Sequence, residues 1–270
     1  MSDLPRGLPS SQGISVGTLN QAKEHMMAII SKLALILLNP LARMLRHELT
    51  PLRKAQYIDA AKTIRAAKEK GVSVYEYVES MWDQNGCTDR VIEQIGSAGG
   101  LTPCDRVCEV GPGTGRYLSR ILRQVSPRQY DIYEIADDWT KWLARTHGPV
   151  VVPQPADGRT LRHTPSQSCG LVHAHGVFVY LPLLHAFEYL QEMCRVCAPG
   201  GFVVFDFFSD EEFSADTISR WLASTDRYPV ILPRTMVLKY FSDRGFTPMH
   251  EFEAKYGHSY SRYMVFQRSV

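Results

Sequence analysis

The sequence predicts an α/β protein with a mainly parallel sheet behind a helical N-terminal extension, and three observations carry that expectation. Apolar residues recur at helical spacing through most of the first hundred positions. From Arg106 the pattern changes to short apolar runs alternating with amphipathic helices, as strands buried beneath helices on both faces require. The first such run ends in Glu109-Val-Gly-Pro-Gly-Thr-Gly115, a glycine turn between a strand and a helix. With 44% apolar and 21% charged residues in 270, the chain can bury a sizeable core, and global disorder is excluded.

Residues 1–18, rich in Ser, Gly and Pro, read as a flexible tail. Thr18 or Asn20 caps a helix to about Leu38, which Asn39-Pro40 breaks or kinks. Leu41 to Leu49 forms a second. Thr50 as N-cap and Pro51 in the first turn begin a third, which runs to about Lys70 and stops at Gly71. Ser73 begins a helix from Val74 to Asp83, and Thr88 begins another to Ile95. Residues 19–100 thus form a helical extension or lid ahead of a domain over 101–270. Strands are expected at 106–110, 130–134, 150–152, 170–174, 202–206 and 260–267. Helices fall between them at 115–125, 138–146 and 183–197, and at 236–244 with Gly245 as the stop. In such sheets ligands gather beyond the carboxyl ends of the strands. Glu109, Glu134, the segment after Val152, His175 and Asp206 therefore share one rim.

Glycines at 111, 113 and 115 let the backbone turn tightly and meet a ligand with no side chain between. Alone they fit a nicotinamide dinucleotide turn or a plain tight loop equally well. Glu134, at the end of the next strand, is placed to accept both hydroxyls of a ribose, with Asp137 and Asp138 as competitors for the role.

The order of these pieces decides. From Val107 to about Phe208, and more loosely to the C-terminus, the chain resembles the class I S-adenosylmethionine-dependent methyltransferase family. The resemblance rests on the glycine turn, Glu134, Pro155-Ala-Asp157-Gly158, the run Leu171-Val-His-Ala-His175, and Arg195-Val-Cys-Ala-Pro-Gly-Gly201 ahead of the fifth strand. It implies a Rossmann-like, mainly parallel sheet of seven strands and S-adenosylmethionine as cofactor. It also implies cofactor contacts from Glu109, Gly111, Gly113, Gly115, Glu134, Asp157, Gly158 and His175. One departure stands out: the family often has Asp or Asn early in the fourth strand, where this chain has Cys169-Gly170 and two histidines.

Methyl transfer from a sulfonium is an in-line displacement, so the protein must align the nucleophile, exclude water and remove a proton. An oxygen nucleophile gains from a general base or a metal. His175 is the candidate base; the alternative is that its ring only shapes the pocket. His173, two residues back, shares its face, so a divalent metal stays open although no ligand set indicates one. Asp206 is the second catalytic candidate. His185 reads as a helix-face residue, and His250 and His258 fall on later loops. Tyr77 and Trp82 either cover the cofactor or pack the helices. The expected acceptor is a hydroxyl of a small molecule, sugar or glycan. No basic-aromatic platform points to nucleic acid.

Ten Lys/Arg against four Asp/Glu between Lys23 and Lys70 suggest either solvated helix faces or an acidic partner. The apolar run Met26 to Leu38 contains Lys32 and is shorter than the roughly 20 residues a membrane span needs. With the basic residues that follow, 26–46 suits a peripheral membrane contact, a homo-oligomer interface or a core helix. No signal peptide opens the chain, and six cysteines without a disulfide pattern fit a cytoplasmic protein. Cys194 and Cys197 lack the partners of a zinc site and read as packing. Two rival readings are an NAD(P)-dependent oxidoreductase and a non-catalytic module that binds a lipid or a partner.

Overall fold

The computed structural model describes residues 58–223, 230–256 and 259–270. The tail over 1–18, the helices expected before Ile58, the stretch 26–46 and His258 lie outside the described residues.

Three helices lead into the sheet. The first, α1 (Ala60–Glu69), starts later than the single helix expected from Thr50, because the Asp59 carboxylate accepts the Lys62 N–H at 2.8 Å and caps it here. In α2 (Val74–Met81) Ser73 and Glu76 form the reciprocal capping box. The third, α3 (Cys87–Ser97), packs Val91, Ile92 and Ile95 onto the sheet.

The domain then alternates: β1 (Arg106–Val110), α4 (Arg116–Val125), β2 (Gln129–Tyr133), α5 (Asp137–His147), β3 (Val151–Pro153), β4 (Cys169–Ala174), α6 (Leu183–Val196) and β5 (Cys197–Ser209). After it come α7 (Ala215–Ala223), β6 (Ile231–Leu232), α8 (Arg234–Ser242), β7 (Phe246–Tyr256) and β8 (Ser259–Arg268). The strand order is β3-β2-β1-β4-β5-β8-β7, with β6 attached to β5 at Phe208 and Ser209. The first five strands are parallel, and β8 enters antiparallel between β5 and β7. The seven-strand path matches the expected mainly parallel sheet, with β6 as a short addition.

Three elements escaped the sequence reading, the two-residue β6 among them. β7 carries Glu251 and Glu253 and a register shift between Pro248 and His250, so its alternation is weak, as suits an edge strand. His250 therefore lies on β7, not on a covering loop; its Nε2 is 2.7 Å from Gln94 Oε1. α7 was also not expected; only Thr217 is buried along it.

Period-two alternation divides the sheet between two cores. Cys108, Val172, Phe205, Phe207 and Met264 face Leu190, Met193, Val237 and Phe241 of α6 and α8. Val107, Ile132, Leu171, Val204 and Val265 face α3, α4 and Leu143 of α5. Each large side chain so buried contributes about 1.5–3 kcal/mol. All six cysteines are free; Cys194 and Cys197 are buried in the first core, and burial pushes the Cys194 thiol up to about 12, as the packing reading requires. Cys108 lies inside β1.

Candidate active site

On the second face the carboxyl ends of the strands turn polar. Glu109, Tyr130, His173, His175, Asp206 and Tyr263 are all buried there. Register explains the grouping: Glu109 lies opposite His173, and Asp206 opposite Tyr263.

The glycine turn forms the outer part of this site. The Gly111 N–H donates to the Tyr133 carbonyl at 2.8 Å and folds the chain back over β2. A Cβ on Gly111 would stand 2.7 Å from Val177 Cγ2, and one on Gly115 2.3 Å from Leu143 Cδ2. Those two glycines allow close packing, whereas a Cβ on Gly113 would meet open space. The Glu134 carboxylate accepts the Gly113 N–H at 2.9 Å and the Ala136 N–H at 2.8 Å, so it lies directly beside that open face. Its competitors are placed elsewhere. Asp138 accepts the Ala60 N–H at 2.9 Å and ties α1 to α5, and exposed Asp137 is 3.9 Å from Lys141. A carboxylate next to an unobstructed glycine backbone fits a ribose-bearing cofactor.

Asp157 is exposed and holds its own turn. It accepts the Arg159 and Thr160 N–H groups at 2.9 and 2.7 Å and the Thr160 hydroxyl at 2.6 Å, and the Thr160 hydroxyl bond leads in holding its carboxyl at about 2. Gly158 follows with φ 78° and open space at its Cβ position. The Asp157 and Glu134 charges both act on the Tyr189 hydroxyl of α6, which burial first of all pushes up to about 12.

The inner part of the site is a closed polar layer. His175 stacks on Tyr117 with ring centroids 3.7 Å apart, and neither of its buried nitrogens has a hydrogen-bond partner. Burial, then the nearby His173 and Arg116, hold it well below the usual histidine range, so the ring is neutral. Asp206 Oδ1 accepts the Gly176 N–H at 2.6 Å, the Ser261 hydroxyl of β8 also favours the ionised carboxylate, and the buried Oδ2 makes no hydrogen bond of ordinary geometry. Burial raises that carboxyl to about 6. The Tyr117 and Tyr263 hydroxyls lie 3.0 Å apart, and Arg116 donates to Gln84 at 2.7 Å.

Glu109 takes a place the sequence did not indicate. Its carboxylate turns inward, where the Tyr130 hydroxyl is 2.9 Å from Oε2 and 2.7 Å from His173 Nε2. His173 is therefore engaged by Tyr130 rather than paired with His175 around a metal. Among the described residues no group of three or more His, Cys, Asp or Glu side chains could hold a metal ion. Sequence reading missed Tyr117, Tyr130 and Tyr263. Strand alternation offered a signal for Tyr130, since Glu109 and Tyr130 fall on one face once β1 and β2 pair; Tyr263 arrives from a distant antiparallel strand.

Remaining candidates support the frame. His185 lies near Arg159 on the face of α6 (3.2 Å). Tyr75 meets His147 and Trp142 of α5, Lys70 lies over Tyr77, and Trp82 is exposed. Gly170 stands where a Cβ would be 2.4 Å from that of Cys104, which accounts for glycine at this departure from the family pattern.

Strand order, a glycine turn after β1 and an acid after β2 together define the class I methyltransferase fold. A methyltransferase-domain family model matches residues 45–251, and the chain belongs to that family, as an S-adenosylmethionine-dependent enzyme. This membership overturns the oxidoreductase and non-catalytic alternatives. No curated protein matches the chain. Among solved structures it is similar to a putative sarcosine dimethylglycine methyltransferase from Galdieria sulphuraria, with TM-score 0.54 and 12% identity over 67% of this chain and 85% of that one. It is also similar to a magnesium protoporphyrin IX methyltransferase from Synechocystis with bound S-adenosylhomocysteine (TM-score 0.52, 15% identity, 80% and 90% covered). An O-methyltransferase family protein from Burkholderia thailandensis gives TM-score 0.54 at 15% identity over 88% and 70%. At these identities the likeness is one of fold. No helix among the described residues is long and apolar enough to cross a membrane.

Proposed function

We propose that the protein methylates a hydroxyl of a small molecule, sugar or glycan, with Asp206 as the proton acceptor and His175 as a wall of the acceptor pocket. The observation that carries this reading is the buried Asp206 carboxyl, held at the backbone turn that follows His175 and with an Oδ2 that makes no hydrogen bond of ordinary geometry. An unpaired buried carboxylate oxygen is costly unless a ligand completes it. A carboxyl raised to about 6 is ionised at neutral pH yet basic enough to receive a proton as the nucleophile forms its new bond. His175, held neutral far below the usual range, is a weak base, and its role is to shape and orient.

S-adenosylmethionine supplies a methyl group already activated by the sulfonium charge. The chain's own residues do the rest. Glu134 holds the ribose, the open backbone at Gly113 admits the cofactor, and Asp157 with Gly158 borders the adenine. Tyr117 and His175 close the pocket against water.

The test is S-adenosylhomocysteine formation across a panel of hydroxylated acceptors. Asp206→Asn is expected to lower turnover about 100-fold while cofactor affinity stays within about twofold. For the wild type, kcat should rise with pH through about 6 and then level, because the base works only when ionised. Full turnover by Asp206→Asn would remove it as the base.

A further inference from the structure

We propose that Glu109, Tyr130 and His173 form one proton-sharing unit that sets which nitrogen of His173 carries hydrogen, and so links the cofactor turn to the histidine pair beneath the acceptor pocket. Tyr130 Oη stands 2.9 Å from Glu109 Oε2 and 2.7 Å from His173 Nε2. It has a single hydrogen, so it cannot donate to both neighbours. All three side chains are buried, and His173 Nδ1 has no hydrogen-bond partner, its nearest approach to Glu109 being 3.8 Å.

Two arrangements satisfy that geometry. With Glu109 protonated, its O–H donates to Tyr130 Oη, Tyr130 donates to His173 Nε2, and the imidazole hydrogen sits on Nδ1. With Glu109 ionised, the carboxylate accepts from Tyr130, Tyr130 Oη accepts from His173 Nε2–H, and Nδ1 is bare. The second state holds one proton fewer. A proton arriving at Nδ1 moves the Nε2 hydrogen to Tyr130 and the Tyr130 hydrogen to Glu109, which ends protonated. No other bond changes, and no oxidant or further reactant takes part.

The electrostatics support neutral partners. Burial raises the Glu109 carboxyl to about 8 and lowers the His173 imidazole to about 3, which disfavours a glutamate–imidazolium pair. Glu134 at the end of β2 adds to the rise at Glu109, and Cys108 and Cys104 act on Tyr130. On the pocket side, His173 faces the His175 ring at 5.0 Å. Arg116, Tyr117 and Tyr263 surround that ring, and Asp206 acts on both tyrosines. Glu109 is two residues before Gly111, and His173 two before His175. A change of protonation beside the cofactor turn thus reverses the hydrogen-bonding sense of Nδ1 on a ring whose centroid lies 5.0 Å from that of His175. The three are positioning residues, and the inference stands on the buried face rather than on the acceptor's identity.

The experiment is a pH titration of the full chain labelled with 15N-histidine, reading the tautomer of His173 by two-bond 1H–15N correlation from pH 6 to 10. The signals are assigned by their loss in His173→Gln. The expected result is Nδ1–H at the low end and Nε2–H at the high end, with a midpoint near 8. Tyr130→Phe and Glu109→Gln should each leave one tautomer throughout, with the remaining spectrum folded. A single His173 tautomer across the wild-type titration would overturn the unit, as would a doubly protonated imidazolium at pH 6. A switch that persists in Tyr130→Phe would do the same. The wild-type titration decides even where a variant fails to fold.

Discussion

Glu134 and Glu109 are both carboxylates at the carboxyl ends of neighbouring strands, yet their surroundings give them opposite tasks. Glu134 is partly exposed and bonded to two backbone N–H groups on the open side of the glycine turn. Removing it by Glu134→Ala should weaken S-adenosylmethionine binding about ten- to a hundredfold, since hydrogen bonds to a charged group are worth about 1.5–3 kcal/mol; isothermal calorimetry reads the change directly. Glu109 is fully enclosed, and burial raises its carboxyl to about 8. Between the ordinary glutamate range and about 8 the folded chain holds this proton while the unfolded chain has lost it. Stability contributed at this site therefore falls as pH rises across that window, by about 1.4 kcal/mol per unit. Glu109→Gln has no carboxylate to ionise. Denaturant unfolding at pH 5 and pH 8 should show the variant losing less stability than the wild type over that interval, and equal losses would contradict the burial argument.

At the scale of elements, the strand–turn–helix unit β1–α4 is held by close packing rather than by its glycines' flexibility alone. Gly115 caps α4 with φ 75°, and a Cβ there would collide with Leu143 of α5. Gly115→Ala combines a left-handed backbone with that clash. It should lower the melting temperature and weaken cofactor binding together, as followed by thermal denaturation and calorimetry. This unit was legible in the sequence because every signal in it is local: an apolar run, a glycine turn, then an amphipathic helix. The edge strand β7 was not, because one face carries Glu251 and Glu253, whose partner Arg262 belongs to β8.

Across the whole molecule, Arg262 closes the end of the sheet. It is 6% exposed and pairs with Glu212 at 2.9 Å and with Glu251, while Arg234 of α8 also holds Glu251 at 2.7 Å. The network joins the segment after β5 to the β7–β8 pair. Arg262→Ala would leave the buried Glu212 carboxylate without its cation and should cost about 3–5 kcal/mol, measured by chemical denaturation. Arg262→Lys should recover only part of it, since one ammonium cannot reproduce the forked guanidinium contacts.

The sequence by itself determined the parallel sheet, the glycine turn with Glu134 beside it, and the rim carrying His175 and Asp206. Each of these follows from spacing within a few tens of residues and from the rule that parallel strands present their carboxyl ends together. Only the tertiary structure decided what those side chains meet. Pairing of β1, β2 and β4 buried Glu109 against Tyr130 and His173, and the antiparallel β8 delivered Tyr263 to Asp206. Which polar groups lose water, and which gain a partner, depends on contacts between residues far apart in the chain; that desolvation set the distinct protonation behaviour of Glu109, His175 and Asp206.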